Sequence, residues 1–529
     1  AYIMYKYYSS IILILLFSAC AEKKAIVSQT NKSLLNQEFK TETPTGSIDS
    51  VALLKNKPLY SFYKLNGFCS VWNTPEKRKT AAEAIANAEK EGLNPEDYQL
   101  SKILANEKRI DSLSEKEITD YDLLLTTSLE KYISDLSFGK LNPKKLYDDW
   151  DLKVVKSDSH KNLSDALQKD SLSTIIEKAK PNHPVYKRLE NALVLINQFP
   201  EDTLKTIEFL RNLKPNDTSK TFISIKKRLA YWNDLKNPQP FTNLYDAETQ
   251  NAVKKFQLRH GLEPDGIIGK GTLAQLNVSK DIRKKQIIAN MERWRWFPKE
   301  MGEHYIIVNI PEYKLRTVFK SDTTRTHNVI VGTAARKTPI LTSKLSYAVF
   351  NPTWTVPPTI LKEDIIPSMM KNRNYLKGKN ITIYDQKGKE VNPWSWNPAN
   401  AKKYRYVQSP GTYNSLGMVK IIFPNNFSVY LHDTNHKEYF EKTDRSLSSG
   451  CVRVQDPLEL TEYLLDDKKN WNVEKITETL KTEKTKNATF KSDIFIHQLY
   501  WTAWSDKGLL YFTPDIYDLD ASLYAKLRQ

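Results

Sequence analysis

The feature that most constrains the fold is a single change in sequence periodicity near residue 300. Before it, apolar residues recur at three- and four-residue spacings, as in KRKTAAEAIANAEKEGLNPEDYQL and DYDLLLTTSLEKYISDLSFGKLNP, whose helical patterns stop at Gly92 and Gly139. After it, β-branched and aromatic runs such as HYIIVNI, HNVIVGT and MVKIIFP are separated by Asp, Gly, Pro or Asn. These patterns are typical of amphipathic helices and of short strands. The sequence therefore predicts a multidomain α+β chain in which helical domains precede a mainly antiparallel, sandwich- or barrel-like β domain.

Charge and cysteine content limit the classes of partner and the disulfides that the chain can have. The 529 residues include 79 basic and 62 acidic side chains, a net charge of +17, which suits an anionic partner such as a membrane surface or a polymer rich in carboxylates. No segment resembles a nucleic-acid-binding module, so no nucleic-acid partner is expected. The cysteines Cys20, Cys69 and Cys451 do not form a disulfide framework, and Cys69 is expected to be a buried structural thiol.

The amino terminus predicts a membrane anchor. Lys6 precedes an apolar run over residues 11–17, which is too short to span a bilayer, and the small residues Ser18 and Ala19 precede Cys20. This pattern resembles a lipoprotein signal peptide over residues 1–20, which implies that Cys20 is lipidated. An ordinary cleaved signal or an uncleaved anchor is the alternative. The polar residues 21–49 are predicted to form a flexible tether.

Two helical regions follow the tether. Residues 50–218 are predicted to be a helical scaffold without chemistry of its own. Residues 219–278 form a compact three-helix pattern in which Asp246 caps the second helix and Gly261 ends it. This unit resembles the peptidoglycan-binding domain through Phe256, Gln257, Gly261, Leu262, Asp265, Gly266, Gly269 and Thr272. Those residues mostly specify the fold, so binding of glycan or stem peptide is predicted only by analogy.

Residues 430–457 hold the strongest candidate for chemistry. Cys451 follows two serines and a glycine, and His432 lies 19 residues earlier in the strand-like run FSVYLHDT. A thiol is a weak nucleophile until a base such as imidazole removes its proton. Gly450 permits backbone conformations closed to other residues, and its small neighbours let a carbonyl approach backbone N–H groups. The pattern indicates a Cys/His acyl-transfer enzyme, with a structural Cys and His as the alternative.

This pattern, with further motifs, resembles the L,D-transpeptidases with a YkuD-like catalytic domain, especially the large multidomain class of Gram-negative bacteria. The first motif is a His in a strand, followed by a spacer and SSGCVR. Four further motifs of the family also occur in the chain: ERWRWFP, VFNPTWTVPPTI, SLGMVKIIFPN and YWTAW. The resemblance implies a catalytic domain over residues 279–529. It also implies that a long insert, at about residues 357–411, caps the substrate groove.

The resemblance assigns catalytic roles to four residues. Cys451 is the nucleophile and His432 the base. The backbone N–H of Cys451, together with that of Gly450 or Ser449, is expected to hold the oxyanion. Many family members carry a histidine at the position of Ser449, although the departure recurs in the large class.

Three more residues are expected to contact the substrate. Arg453 suits a stem-peptide carboxylate, with a structural ion pair as the alternative. Tyr430 alternates with His432 along a strand and therefore shares its face. Trp354 lies at the mouth of the capping insert, where the family lines its groove with aromatic side chains.

Asp433 and His436 are not expected to take part in catalysis or in a metal site. Asp433 should point to the opposite face from His432, and a single D-x-x-H spacing lacks the additional ligands that a metal site needs. Neither a metal nor a cofactor is implied.

The implied reaction is cleavage of the terminal D-Ala from a peptidoglycan tetrapeptide stem through a thioester on Cys451. Transfer to an amine of a neighbouring stem would give a 3-3 cross-link, water would make the chain an L,D-carboxypeptidase, and a protein lysine would give lipoprotein attachment. A non-catalytic, lipid-anchored peptidoglycan-binding protein is the rival from another class. The resemblance also implies a periplasmic location, with the lipid anchor in the outer membrane, and covalent inhibition by carbapenem-type β-lactams.

Overall fold

A computed structural model describes residues 39–152, 159–236 and 240–529. The predicted signal peptide, including Cys20, lies outside these residues. The chain divides into two compact units, one over residues up to 141 and 155–194 with the last two residues, the other over residues 142–154 and 195–527. Within the described ranges, no helix is both long enough and apolar enough to cross a membrane.

The first unit is helical, as its sequence periodicity predicts. Ser114 and Glu117 form a capping box at the start of its longest helix, which ends at Gly139. Gly92 takes a left-handed conformation after a 3₁₀ turn. The helices are Lys57–Leu65, Pro75–Ala86, Leu100–Lys108, Glu115–Phe138, Ser159–Gln168, Leu172–Ala179 and Pro184–Gln198.

Two details of this unit differ from the sequence-based expectation. Within the predicted tether, the backbone N–H of Thr43 donates to Asn73 O at 2.9 Å, and Arg78 donates to Thr41 O at 2.6 Å, so this end packs on the helices. Cys69 is exposed, and the prediction of a buried thiol is wrong. It follows a turn with positive φ at Phe68 and forms an isolated bridge with Ser47 at the surface.

The second unit begins with the compact helical pattern. Its helices are Thr221–Tyr231, Ala247–Arg259 and Lys270–Leu276. Asp246 caps the second one by accepting from Thr249 N at 2.8 Å, as predicted. Gly261 follows that helix with φ +65°, a conformation that favours glycine.

A buried helix, Lys280–Trp296, carries the ERWRWFP motif. Its Arg293 forms an ion pair at 2.6 Å with Asp520 of the terminal helix Asp520–Leu527. Trp294 of this motif meets Trp501 of the YWTAW motif edge to face, with ring centroids 5.3 Å apart. Two of the family-like motifs therefore contact each other in the core, where they stabilise the fold.

The β region follows this helix. Its strands, with one short strand from before the helix, are β1 (Trp150–Asp151), β2 (His304–Asn309), β3 (Lys314–Phe319), β4 (Asp322–Gly332), β5 (Ile340–Lys344), β6 (Tyr347–Phe350), β7 (Trp354–Thr355), β8 (Ile381–Tyr384), β9 (Arg405–Gln408), β10 (Val419–Ile422), β11 (Leu431–His432), β12 (Ser446–Ser448), β13 (Val452–Val454), β14 (Lys486–Thr489), β15 (Phe495–Leu499), β16 (Ala503–Asp506) and β17 (Leu509–Phe512).

The main sheet has twelve strands in the order β1-β5-β15-β2-β3-β4-β13-β11-β10-β6-β14, with β12 beside β4. Most neighbours are antiparallel, which confirms the predicted mainly antiparallel α+β architecture. Four pairs are parallel: β1–β5, β2–β15, β4–β12 and β11–β13. β16 and β17 form a separate antiparallel hairpin, whereas β15 joins the main sheet.

Several helices lie beside or between these strands. Pro457–Leu465 and Val473–Lys481 follow β13. Between β7 and β8 lie Pro358–Ile360, the π-helical turn Leu361–Ile365, Ile366–Lys371 and Tyr375–Gly378. This inserted segment has its own antiparallel sheet, in the order β7-β9-β8, and its own apolar core, which includes Met369, Leu376, Ile383, Trp396 and Tyr406.

Candidate active site

The candidate site lies where β13, β11 and β10 run side by side. His432 on β11 is in register with Arg453 on β13 and with Lys420 on β10. Residues in register on neighbouring strands share a face of the sheet, so these three side chains form a row across it. The alternate residues, among them Val419, Ile421, Leu431 and Val452, are buried in the core on the opposite face.

Cys451 and Tyr430 occupy the adjacent positions on that face. Cys451 precedes β13 and is two residues before Arg453, and Tyr430 is two residues before His432. The backbone N–H of Val452 donates to Tyr430 O at 3.3 Å, which fixes the two segments beside each other. The rings of Tyr430 and His432 meet edge to face, with centroids 5.6 Å apart. The structure therefore brings together four of the predicted residues: Cys451, His432, Tyr430 and Arg453.

His432 is a buried imidazole held by a backbone carbonyl. Its Nδ1 forms a short hydrogen bond with Asp433 O, and because a carbonyl only accepts, Nδ1 carries the proton and Nε2 keeps its lone pair. Burial, with the positive charge of Arg453, lowers the pKa of His432 to about 3. The residue is thus a neutral base at physiological pH, in the tautomer that can accept a proton at Nε2.

Cys451 is partly exposed, yet enough protein surrounds its thiol to raise the pKa to about 11. Burial is the main cause, and a backbone hydrogen bond from Tyr430 and the charges of Arg453 and Lys420 oppose it. The resting site therefore holds a neutral thiol beside a neutral imidazole. A neutral thiol becomes a strong nucleophile only when a base removes its proton, and the unprotonated Nε2 of His432 is such a base on the same face of the sheet.

The loop before Cys451 is fixed by its own serine. Ser448 Oγ donates to Cys451 O at 2.6 Å and accepts from Gly450 N at 3.2 Å. Gly450 has φ +110°, and a Cβ there would lie 3.3 Å from Lys337 O. Glycine is required here for its backbone conformation and for this close approach.

These contacts bear on the predicted oxyanion hole. The Gly450 N–H is already engaged with Ser448, which disfavours it as an oxyanion donor. Within the described part of the chain, the N–H of Cys451 donates to no protein acceptor, so it can donate to an oxyanion that forms at the thiol. Ser449 contributes a side-chain contact as well, because its Oγ accepts from Arg336 at 3.0 Å.

Arg336 links this loop to the inserted segment. Beyond Ser449, its guanidinium donates to the two carboxylate oxygens of Asp364 at 2.8 and 2.9 Å, and to Glu363 at 3.0 Å. Asp364 and Glu363 lie on the π-helical turn Leu361–Ile365. The insert is thus attached to the residue two positions before Cys451. The sequence-based assignment missed Arg336, which stands outside every motif used for it.

Lys420 was also missed, although it lies within the motif SLGMVKIIFPN. Its ammonium group stands 5.5 Å from the centroid of the Tyr430 ring. Burial lowers the pKa of both Lys420 and Arg453. Among the residues that the structure describes, neither cation forms an ion pair, and Arg453 Nε is buried without a hydrogen-bond partner. The structural ion pair considered for Arg453 is therefore not observed.

The remaining candidates have contacts other than the thiol. Trp354 pairs with Gln408 and packs partly against the core of the insert. The Asp433 carboxylate accepts from Met418 N at 2.9 Å and pairs with Lys437, so its side chain is structural while its carbonyl holds His432. The ring of His436 stacks on Tyr439. No cluster of three or more His, Cys, Asp or Glu suited to a metal ion occurs in the described ranges.

Comparisons with known proteins agree with the motifs. Residues 57–193 match a family model described as a scaffold domain, residues 219–276 a putative peptidoglycan-binding domain, and residues 303–477 the L,D-transpeptidase catalytic domain of the YkuD family. A putative L,D-transpeptidase of Haemophilus influenzae is 36% identical over 242 residues, which cover 45% of this chain and 49% of the relative. The match thus spans about half the length of that curated relative.

Two solved L,D-transpeptidase structures were also found. One, from Xylanimonas cellulosilytica, is 14% identical, covers 55% of this chain and 99% of its own, and has a TM-score of 0.17. The other, from Stackebrandtia nassauensis, is 14% identical, covers 56% and 96%, and has a TM-score of 0.22. At these TM-scores the two structures support no detailed comparison. The family models confirm the predicted L,D-transpeptidase catalytic domain and peptidoglycan-binding domain.

Proposed function

We propose that this chain, which contains a YkuD-family catalytic domain and a peptidoglycan-binding domain, is a cysteine L,D-transpeptidase that forms 3-3 cross-links. The observation that carries the proposal is the position of Cys451 beside a buried His432 whose Nδ1 is occupied by Asp433 O. This arrangement leaves Nε2 as a base for the thiol. The substrate is a peptidoglycan tetrapeptide stem.

The first half-reaction acylates the thiol. His432 Nε2 takes the proton of Cys451 as Sγ attacks the carbonyl carbon of the third stem residue, and the N–H of Cys451 stabilises the oxyanion. The tetrahedral intermediate then breaks its bond to the terminal D-Ala. His432 returns the proton to the leaving amine, and free D-Ala departs. A thioester between Sγ and the third residue remains.

The second half-reaction transfers the acyl group. An amine on the third residue of a neighbouring stem attacks the thioester carbonyl, and His432 accepts a proton from that amine. Sγ leaves as the new amide forms, and the proton returns to it, which restores the neutral thiol. Two third residues are then joined by an amide bond.

The inserted segment supports an amine as acceptor. Arg336 attaches it to Ser449, beside the nucleophile, and a cap in that position limits access of water to the thioester. Hydrolysis would make the chain an L,D-carboxypeptidase, and attack by a protein lysine would attach a lipoprotein. Products of a reaction with purified tetrapeptide dimers separate these outcomes, because only cross-linking yields a 3-3 dimer.

The cellular setting is part of the proposal. A lipid on Cys20 and the tether after it would place the enzyme in the periplasm, anchored to the outer membrane, within reach of the cell wall. The peptidoglycan-binding domain at residues 219–276 supports a glycan or stem-peptide partner. Carbapenem-type β-lactams are expected to acylate Cys451 by the same attack on a carbonyl.

The decisive experiment replaces each described cysteine in turn. Cys451→Ala should abolish release of D-Ala and the carbapenem adduct seen by mass spectrometry, while sacculus binding persists. Cys69→Ala is the matched control, because Cys69 is exposed and should leave turnover and the adduct unchanged. Unchanged turnover in Cys451→Ala would favour the rival class, a non-catalytic peptidoglycan-binding protein.

A further inference from the structure

Lys420 and Arg453 flank His432 in one row on the catalytic face. Lys420 is in register with His432 across an antiparallel pair, and His432 is in register with Arg453 across a parallel pair. Because neighbouring strands are about 4.8 Å apart, the two cationic residues begin roughly 10 Å from each other. Long side chains starting at that separation can reach one small group held between them.

The two cations lack an anionic partner in the protein. Both are partly buried, and within the described ranges neither forms an ion pair with Asp or Glu. Lys420 contacts the face of the Tyr430 ring instead. A partly buried cation without a counter-ion is unfavourable, and two of them side by side repel each other. An anionic group of a ligand would remove both penalties.

The distance to the nucleophile suits one group of the substrate. Cys451 is two residues before Arg453 on the same segment, so its Cα lies about 7 Å along the strand from that of Arg453. In a stem peptide, the carboxylate of the last residue is the next carbonyl group after the one that Cys451 attacks. A donor whose last residue extends from the thiol along β13 brings this carboxylate to the row.

We propose that Lys420 and Arg453 clamp the terminal carboxylate of the donor stem, and that Lys420 is a specificity-determining residue. This inference rests on the proposed function and adds the group of the substrate that is recognised. Arg453 can bind the carboxylate through a pair of N–H groups, and Lys420 supplies a second point charge from the other side. The clamp selects donors that end at the residue after the attacked carbonyl.

A purely electrostatic role for Lys420 is the competing explanation. Its charge also acts on Cys451 and favours the thiolate. In that case the effect of removing Lys420 would be the same for every donor, because it would act on the nucleophile. The carboxylate clamp predicts an effect that depends on whether the C terminus of the donor is a free carboxylate.

The experiment compares two donors that differ only at that end. Release of the terminal residue is measured for a tetrapeptide with a free carboxylate and for its C-terminal amide. Lys420→Gln should lower kcat/KM for the acid at least about tenfold more than for the amide, because only the acid loses a charge-assisted contact, whereas any effect on the thiol is common to both donors. Lys420→Arg should keep most of the preference for the acid. Lys486→Gln, at an exposed site two strands away in the same sheet, should change neither.

Binding measured without chemistry provides a second readout. In the Cys451→Ala background no thiolate can form, so any effect of Lys420→Gln on calorimetric affinity must come from the ligand. The acid should bind about tenfold more weakly and the amide unchanged. The clamp would be overturned if Lys420→Gln lowered kcat/KM equally for the acid and the amide. It would also be overturned if Lys420→Gln left the affinity for the acid unchanged in the Cys451→Ala background. Failure of the wild-type chain to release D-Ala from the acid would instead overturn the proposed function.

Discussion

Buried charges are treated in opposite ways in the helical unit and on the catalytic face of the sheet. In the helical unit, Arg78 and Glu107 form an ion pair at 2.5 Å with side chains 1% and 3% exposed, and Tyr121 also donates to Glu107. On the catalytic face, Lys420 and Arg453 have no carboxylate partner among the described residues. Buried charged side chains that form ion pairs within the protein stabilise the fold. Buried charged side chains that lack a carboxylate partner in the protein are available to bind a charged ligand.

The most severe test of this contrast removes one partner of the paired charges. Glu107→Gln should lower the free energy of unfolding of the helical unit by about 3–5 kcal/mol, because it leaves Arg78 buried without a counter-ion. Urea unfolding monitored by hydrogen exchange in the helix Glu115–Phe138 measures the change.

The matched change on the catalytic face is Arg453→Gln. Its effect on unfolding should be within about 0.5 kcal/mol, since no ion pair is broken. A loss as large as that of Glu107→Gln would mean that Arg453 has a structural partner, and the contrast between the two regions would fail.

The next test concerns the neutral thiol. Because the pKa of Cys451 is raised to about 11, its thiolate fraction should increase tenfold per pH unit, so alkylation by iodoacetamide should rise about 100-fold from pH 8 to pH 10. The rate is measured in a Cys69→Ala background by mass spectrometry. Free cysteine, whose pKa is about 8.5, should level off above pH 9. A high rate that is independent of pH from 5 to 8 would indicate a thiolate–imidazolium pair instead.

A smaller effect is expected from Gly450→Ala. The φ of +110° is unfavourable for alanine, and the added Cβ would lie close to Lys337 O. The two effects together should strain the loop before Cys451 by about 1–3 kcal/mol. The acylation rate should fall at least tenfold. Gly388→Ala is the control, because φ is +80° there and no other atom lies within 4 Å of the added Cβ. Equal kcat/KM for the two variants would show that the Gly450 conformation does not matter to catalysis.

The smallest effect is expected from weakening the ion pair between Arg336 and Asp364 near the nucleophile. Asp364→Asn weakens the partly exposed contact with Arg336 and should cost at most about 1 kcal/mol, or a few-fold in acylation rate. Hydrogen exchange in the helix Ile366–Lys371 should become faster. Glu390→Gln, an exposed carboxylate of the same insert, should change neither quantity.

Local chemistry made parts of the fold predictable. Asp246 caps its helix, and Gly92 and Gly139 follow helical segments where the sequence places them. The hairpin at residues 503–512 turns where Asp, Lys and Gly meet. Signals of this kind depend on neighbours within a few residues, so a single sequence contains them.

The features that local sequence did not predict depend on contacts between residues that are far apart in the chain. The run FSVYLHD predicts a strand, yet only Leu431–His432 pairs as one, because the register of its neighbours sets its length. Cys69 lies exposed after a turn with positive φ at Phe68, although its residue type favours burial. Arg336 lies outside the motifs, and its contacts with Ser449 and Asp364 join positions far apart in the chain.

The sequence by itself predicted the order of domains, a nucleophile–base pair of Cys451 and His432, and the need for glycine before the thiol. Motifs express these features because reactivity and backbone conformation are properties of residue type. Only the tertiary structure decided that Asp433 holds His432 through its carbonyl and that Lys420 and Arg453 share a row. Such relations arise from strand register, which brings together residues that no local pattern connects.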